Sequence, residues 1–191
     1  ERISTAEVGF DLSREKFRMQ ANAYFSQWKN KSLLTNEYLQ LEDNSQTRAM
    51  ISGLDAEHMG IELEAVWKPL PCFSIGALAG IGNWEWKNNV NAVLFNHENI
   101  AVDTLRVYAD GLKVGDAPQT QFGIYTDVKI LRRIDLHAGW MYFDRMYADF
   151  DPAGRTDAHD KSQSYQLPAW SHVNMQIGYP FYWGKIRFYA S

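Results

Sequence analysis

The residues best suited to metal chemistry lie in one acidic segment of the C-terminal third. Its candidate ligands are Asp144, Asp149, Asp151, Asp157 and Asp160, together with His159. Asp149, Asp151, Gly154 and Asp160 fall on positions 1, 3, 6 and 12 of the calcium-loop template. However, position 5 is Ala153, and position 12 is aspartate where the template has a bidentate glutamate. A solvated acidic loop therefore explains this segment better than a calcium site.

Five histidines and one pair of glutamates could also bind a metal or transfer protons. The histidines are His58, His97, His137, His159 and His172. No two of them have the i, i+4 spacing of paired metal ligands, so solvated histidines are the favoured interpretation. Glu62 and Glu64 share one face of a predicted strand, but their spacing is only the strand repeat. Because no nucleophile triad, phosphate loop or zinc pattern is present, the sequence predicts no enzyme, no catalytic residue, no metal and no cofactor.

Composition excludes several classes of protein. The chain has 191 residues, of which 46% are hydrophobic and 22% are charged, so a disordered chain is excluded. The formal net charge of −4 excludes a strongly basic nucleic-acid binder. The single cysteine, Cys72, cannot form an internal disulfide. A high aromatic content of 14% favours an all-β chain with an unusual surface.

An alternation of apolar and polar residues with a period of two runs through most of the chain. It predicts eight antiparallel strands, at 6–12, 17–25, 59–67, 73–81, 120–130, 134–142, 172–179 and 185–190. The apolar positions include no charged residue, whereas ten of the alternate positions are charged. Each strand therefore has one apolar and one polar face.

The predicted connections alternate in length along the chain. Short turns are expected at 14–16, 69–71, 131–133 and 180–184, and long connections at 29–58, 88–118 and 144–170. In an up-and-down sheet this order places all the long connections at one end. Transmembrane β-barrels have this asymmetry, with short periplasmic turns and long extracellular loops.

The apolar face is expected to contact lipid. Several of its residues are small alanines, which would underfill a core. Aromatic residues near predicted strand ends are expected to form girdles at the two membrane interfaces. These residues are Trp28, Trp67, Trp84, Trp86, Trp140, Tyr142, Tyr147, Tyr179, Tyr182 and Trp183. Since the opposite face is expected to be wet, Gly76 and Gly139 should accept arginine better than Ala77 or Ala138 on the apolar face.

Strand direction indicates part of a larger barrel. With periplasmic short turns, the first strand runs inward and the eighth runs outward, so both ends of the chain are extracellular. A complete outer-membrane barrel has both ends in the periplasm. We therefore expect an internal portion of a barrel.

The chain resembles the C-terminal part of a TonB-dependent outer-membrane receptor of the kind common in Bacteroidetes. The similar pieces are 7–10 (EVGF), 60–64 (GIELE) followed by Lys68-Pro69, 147–152 (YADFDP), and 167–170 (LPAW) leading into Asn174 and Tyr179. The resemblance implies that residues 1–191 are a partial barrel of about eight of 22 strands, without the plug domain and the last strand. It further implies bacterial outer-membrane uptake of a siderophore, vitamin or glycan.

Partners also follow from the resemblance. They are TonB acting through the missing plug, a small-molecule or oligosaccharide substrate, a surface lipoprotein and the lipid bilayer, with no nucleic acid. Two other readings of the alternation remain open. One is a soluble β-barrel that binds a small apolar ligand in its interior, because such a barrel also alternates. The other is an adhesive or structural surface protein that uses its long loops.

Overall fold

A computed structural model of the chain describes residues 1–34, 39–40, 46–47, 49–95, 98, 100–130, 134–183 and 186–190. Its strands are β1 (Arg2–Ser13), β2 (Phe17–Leu34), β3 (Leu39–Gln40), β4 (Gln46–Thr47), β5 (Ala49–Leu70), β6 (Phe73–Trp86), β7 (Val90–Phe95), β8 (Ala101–Val107), β9 (Thr120–Ile130), β10 (Ile134–Asp144), β11 (Trp170–Trp183) and β12 (Ile186–Ala190). One short 3₁₀ turn covers Ala153–Arg155. Within the described ranges, no helix is long and apolar enough to cross a membrane.

Eight of the strands form one antiparallel meander, in the order β1-β2-β5-β6-β9-β10-β11-β12. Each strand pairs with the next of these eight along the chain, which confirms the predicted all-β, up-and-down segment of about eight strands. Among the described residues, β1 pairs only with β2, and β12 pairs only with β11. The sheet is therefore open at both edges.

The register joins apolar positions to apolar positions across the sheet. One continuous row contains Ala21, Leu63, Ala79, Phe122 and Tyr142, contributed by β2, β5, β6, β9 and β10. A slip of one residue at any pair would move one strand's apolar side chains to the other face. The period-two pattern and the observed register therefore specify the same arrangement.

The resulting apolar face is broad and exposed. Its large exposed side chains include Val8, Phe10, Phe25, Met59, Ile61, Leu63, Trp67, Ile75, Ile81, Phe122, Ile124, Trp140, Val173, Met175 and Ile177. On β5 the face extends from Trp67 to Met59, nine residues, which matches the 9–11 residues with which a tilted strand crosses a bilayer. We call this surface the apolar face and the opposite one the polar face.

Several strands extend beyond their predicted limits at the end of the sheet where the long connections lie, here called the loop end. Strand β2 continues to Leu34, and β5 begins at Ala49 and has 22 residues. The predicted connection at 29–58 is therefore partly strand. The predicted connection at 88–118 contains the β7–β8 hairpin, which pairs with the first residues of β5. The alternation of apolar and polar residues does not predict these extensions. Their side chains pack into a local core and do not form a sheet with one apolar and one polar face.

This local core is the main buried apolar cluster among the described residues. Its members are Ile51, Leu54, Ala56, Trp86, Val90, Ala92, Leu94, Val107, Ala109 and Leu112. They come from the start of β5, the end of β6, the β7–β8 hairpin and the segment after it. The loop end is therefore a packed structure.

The turns at the other end agree in part with the prediction. Arg14 and Phe17 form a tight turn between β1 and β2. Strand β5 reaches Leu70, so the next turn consists of residues 71–72, and the exposed Cys72 lies in it. The expected turn at 180–184 is wrong, because β11 continues to Trp183 and pairs with β12 from Tyr179 onward. The turn predicted at 131–133 lies outside the described residues.

Candidate functional site: the polar face

Polar side chains on the central strands are aligned by the register into rows. The three rows that form the candidate site are Glu7–Tyr24–Gly60–Gly82, then Gly9–Asn22–Glu62–Gly80–Gln121, then Asp11–Gln20–Glu64–Leu78. We call these the central rows. The described residues of the central rows include four carboxylates and neither lysine nor arginine.

Tyr24 of β2 crosses the neighbouring strand. A Cβ built on Gly60 would lie 2.6 Å from the Tyr24 hydroxyl oxygen, so the phenol lies directly over that glycine. The indole Nε1 of Trp84 on β6 donates a hydrogen bond of 2.9 Å to the same hydroxyl. Only a residue without a side chain permits this approach. The ring of Tyr24 is therefore held along the surface of the sheet.

Tyr125 of β9 repeats this arrangement from the opposite direction. Its phenol lies over Gly76 of β6, where a Cβ would collide with the ring. Its hydroxyl donates a hydrogen bond of 2.8 Å to the Glu64 carboxylate on β5. Two tyrosines thus each span a glycine and bond to the strand beyond it.

An open cavity of about 240 Å³ lies on the polar face between the places where Tyr24 and Tyr125 cross the sheet. The polar side chains that line it are Gln20, Asn22, Glu62, Glu64 and Gln121. Glu62 and Glu64 thus share one face, as the strand repeat predicts. The cavity combines two carboxylates with three amides, which can accept and donate hydrogen bonds over a small area.

The two glycines at which arginine was expected to be better accepted than at Ala77 or Ala138 lie beneath neighbouring side chains. Gly76 is covered by Tyr125, and a Cβ on Gly139 would lie 2.6 Å from the Asn174 side-chain oxygen. An arginine at Gly76 must displace the Tyr125 ring, whereas at Gly139 only the end of the flexible Asn174 side chain has to move. The comparison with Ala77 and Ala138 stays a prediction.

An aromatic group continues the polar face toward the loop end. The His58 ring lies between Trp28 and Trp84, with centroid separations of 5.4 and 5.6 Å. The Lys31 ammonium lies 4.4 Å from the centroid of a Trp28 ring, a cation–π geometry. A second ring group packs Phe143 against Trp170 and His172 at 5.2 and 5.7 Å.

These groups correct the predicted aromatic girdles. Trp28 and Trp84 belong to the polar face, Trp86 is only 2% exposed in the loop-end core, and Tyr147 is buried. The side chains of Tyr182 and Trp183 lie outside the described ones. The remaining members, which lie on the apolar face, are Trp67, Trp140, Tyr142 and Tyr179. The location of an aromatic residue at a strand end does not show on which face it lies. Its odd or even position in the two-residue repeat of the strand does.

Two further histidine environments lie on the polar face or near it. His137 Nδ1 is 2.9 Å from an oxygen of Asp127, whose other oxygen accepts a hydrogen bond from Ser74. Ser74 contacts the carboxylate and not the imidazole, so the three do not have the order of a catalytic triad. His159 is exposed in the acidic segment. His97 lies outside the described residues.

The acidic segment is organised by local contacts. Arg155 binds Asp160 at 3.0 Å and also donates to the carbonyl oxygen of Ser162. Hydrogen bonds from Ser162 hold the pKa of Asp160 below its usual value. Asp151 accepts a hydrogen bond from the backbone N–H of Gly154. No group of three or more potential metal ligands occurs among the described residues, and the calcium template is not assembled around one point.

Burial raises the pKa of Asp149, and the adjacent Asp116 carboxylate raises it further. Asp116 has a φ of 70°, in the left-handed region. The pairing of two carboxyl groups brings together residues from separate long connections. Sequence spacing could not reveal this contact.

An ion-pair network lies on the other side of the sheet, beyond the loop-end edge of the apolar face. Glu85 contacts the ammonium groups of Lys87 and Lys113 at 2.7 Å each, and Lys87 lies 3.6 Å from Glu57. Hydrogen bonds from Lys113 and then Lys87 lower the pKa of Glu85 to about 2. Charged groups here mark where the apolar face ends.

Acidification should weaken this network. Because the folded-state pKa of Glu85 is about 2, against 4.5 for an unperturbed glutamate, its stabilising effect is present above pH 4.5 and lost as the pH falls toward 2. The wild-type protein should therefore melt at a higher temperature than a Glu85→Gln variant at pH 6, and the difference should disappear near pH 2. Circular dichroism melts of both proteins would measure it. A difference that does not change with pH would contradict the ion-pair explanation.

The chain matches a known family. The family described as TonB dependent receptor-like, beta-barrel matches residues 1–191, and therefore every strand of the sheet. No curated protein matches the sequence.

Proposed function

Because the chain belongs to the TonB-dependent receptor-like β-barrel family, we propose that it forms part of the wall of a bacterial outer-membrane receptor for TonB-energised nutrient uptake. The apolar face contacts lipid, and the polar face lines the lumen. The loop end is extracellular, and the short turns lie in the periplasm. The function of the chain is binding and passage, without covalent chemistry.

The observation that carries this proposal is the registered apolar face together with the family match. The exposed leucine, isoleucine, phenylalanine and valine side chains of the apolar face would be unfavourable in water. In lipid they are favourable, and the ladders between neighbouring strands pair their backbone groups across the apolar face, as a bilayer requires. The open edges β1 and β12 must then pair with further strands.

The complete receptor is proposed to contain more than this wall. Residues 1–191 supply about eight of 22 strands, while the plug on which TonB acts and the closing strand belong to other parts of the protein. The substrate is a siderophore, vitamin or glycan. A surface lipoprotein is a further partner, which would contact the extracellular loop end.

The function can be tested by comparing three strains: wild type, a strain that lacks the complete receptor, and a strain that lacks TonB. Growth is measured with ferric chelates, cobalamin or oligosaccharides as the limiting nutrient. The receptor deletion and the TonB deletion should fail on the same nutrient. A nutrient that requires the receptor but not TonB would contradict energised uptake.

Sidedness gives a separate prediction. Gly154 lies in the exposed 3₁₀ turn at the loop end, and Cys72 lies in the exposed turn at the opposite end. In the complete receptor, a cysteine introduced by Gly154→Cys in a Cys72→Ser background should react with a membrane-impermeant maleimide on intact cells. Cys72 itself should react only after the outer membrane is permeabilised. Labelling of Cys72 alone on intact cells would invert the orientation.

A further inference from the structure

The end of the sheet opposite the loop end, here called the turn end, carries a basic cluster that consists of Lys16, Arg18 and Lys68. Lys16 lies in the β1–β2 turn, and its carbonyl oxygen accepts a hydrogen bond of 2.7 Å from the Lys68 N–H. Arg18 of β2 is paired with Val66, which lies on the same face of β5 as Lys68. We propose that this cluster and the cavity beside it bind an acidic peptide segment of a periplasmic protein, and this inference rests on the proposed periplasmic position of the short turns.

The positive charge of the basic cluster is not balanced within the described part of the chain. Like charges on neighbouring strands repel, and none of the three side chains forms an ion pair with a described residue. The carboxylates on this half of the polar face already have partners, which are Tyr125 for Glu64, His137 for Asp127 and Lys129 for Asp135. Since Arg14 and Glu15 of the same turn have opposite charges, the cluster keeps its positive charge and favours an anionic partner.

An open cavity of about 620 Å³ extends this surface from Lys68 across the sheet. The register places Ser74, Asp127, His137 and Gln176 in one row on β6, β9, β10 and β11, and all four line the cavity together with Lys68. Neighbouring strands lie about 4.8 Å apart, so the surface spans roughly 19 Å from β5 to β11. An extended chain rises about 3.3 Å per residue, and this length therefore corresponds to a peptide of about six residues.

The side chains of this row suit the backbone of an extended peptide. The amide of Gln176 is exposed and can donate to a peptide carbonyl as well as accept from a peptide N–H. The Asp127 carboxylate lies in the same row, so a ligand with negative charge along its whole length would be repelled there. These features favour a peptide that has acidic side chains at the Lys68 end and an uncharged remainder.

The position of the cluster distinguishes a periplasmic peptide from a lipid headgroup. Arg18 and Lys68 lie on the face opposite the apolar face, so the headgroups of lipids that surround the barrel do not reach them. Lys16 lies in a turn and Lys68 close to the end of its strand, and both are exposed. With periplasmic turns, the cluster is therefore open to the periplasm.

The test measures the binding of a fluorescent hexapeptide to the complete receptor, purified in detergent, by fluorescence anisotropy. The peptide has two glutamates at one end and serine and glycine at its other positions, and a control peptide has glutamines in place of the glutamates. The acidic peptide should bind and the control peptide should not. The affinity should fall with added salt, because the Debye length decreases from about 10 Å at 0.1 M to about 3 Å at 1 M ionic strength.

Substitutions in the receptor locate the binding surface. Lys68→Gln should lower the affinity about threefold, and the double variant Lys16→Gln and Lys68→Gln about tenfold, as expected for exposed ion pairs. Lys29→Gln is the matched control, because Lys29 is an exposed lysine of β2 near the loop end, and it should bind as wild type does. The substituted side chains are exposed, so the variants should fold, which is checked by heat-modifiable gel mobility.

Three binding results would overturn the inference: no binding of the acidic peptide, equal binding of the control peptide, or unchanged affinity in the folded double variant. Competition by inorganic phosphate as strong as that by unlabelled acidic peptide would also overturn it, because it would show a surface for any anion. A carbodiimide cross-link from Lys68 to a carboxylate of the receptor outside residues 1–191 would do so as well, since the receptor's own chain would then occupy the surface.

The outcome is separable from that of the transport proposal. A receptor that imports its nutrient with TonB but does not bind the acidic peptide would overturn this inference and leave the transport proposal intact. A receptor that binds the peptide through Lys68 but imports its nutrient without TonB would do the reverse.

Discussion

Arginine in place of Ala77 or Ala138 should strongly reduce the amount of folded receptor in the outer membrane. Both alanines lie at the middle of their strands on the apolar face, where Ala77 is paired with Ala65 and Ile124, and Ala138 with Thr126 and Met175. A lipid-facing arginine at the bilayer midplane costs about 2–4 kcal/mol. Heat-modifiable receptor in outer-membrane fractions would be quantified for each variant.

Gln176→Arg is the control for this experiment. Gln176 pairs with His137 on the polar face, one residue along β11 from the residue that faces Ala138. Because this face is proposed to be wet, the folded amount should stay close to wild type. Equal losses in Ala138→Arg and Gln176→Arg would contradict a wet polar face opposite a lipid-facing apolar face.

The second large effect is expected at Gln119, which is 1% exposed at the loop end. Its side chain accepts a hydrogen bond from the Trp84 N–H at 3.1 Å and donates to the Trp84 carbonyl at 3.2 Å. The Gln119 side chain thus makes the hydrogen bonds that the backbone of a neighbouring strand would make, at a point where the pairing between strands is irregular. Gln119→Leu would leave the Trp84 N–H unpaired, at about 1–3 kcal/mol, while the Trp84 carbonyl keeps the hydrogen bond that it accepts from the Val114 N–H. Amide exchange in peptides that cover residues 82–90 should accelerate at least tenfold, since a factor of ten corresponds to about 1.4 kcal/mol.

Gln163→Leu provides the comparison. Gln163 makes similar bonds, accepting from the Lys113 N–H and donating to the Gly111 carbonyl, but it is exposed. Water can replace these bonds, so the exchange of neighbouring peptides should change little. If Gln119→Leu and Gln163→Leu accelerate exchange equally, burial is not the reason for the effect at Gln119.

The strands with one apolar and one polar face could be predicted from the sequence, because one physical rule determines their residue pattern. A strand between two different environments must alternate, and Phe17–Phe25 does so throughout, while Phe73–Ile81 does so except at Leu78. The same rule restricts the register, since a slip of one residue would break apolar rows such as Ala21, Leu63 and Ala79. The family resemblance was confirmed for the same reason, because its pieces lie on or between these strands.

The loop end could not be predicted in this way. Leu54, Val107 and Leu112 are buried by contacts between segments far apart in sequence, and no single segment shows a period. Long-range hydrogen bonding also decides the conformation of Arg145, whose guanidinium donates to Gly82 and Gln119 carbonyl oxygens from a residue with a φ of 52°. Glu62 and Glu64 were recognised as sharing a face, but the tyrosines that frame them were not. That contact depends on glycines in neighbouring strands.

The positions of Tyr24 over Gly60 and of Tyr125 over Gly76 also constrain how the sheet can change during evolution. Any side chain at Gly60 or Gly76 would collide with the ring above it, so neither glycine can be replaced first without damage. A smaller residue in place of Tyr125 removes that obstacle at Gly76, whereas at Gly60 the Ile81 carbonyl oxygen would still lie 2.8 Å from the added Cβ. At Gly76 the order of substitutions is therefore fixed, since Tyr125 must be lost before this glycine is free to vary, while Gly60 stays constrained even without Tyr24.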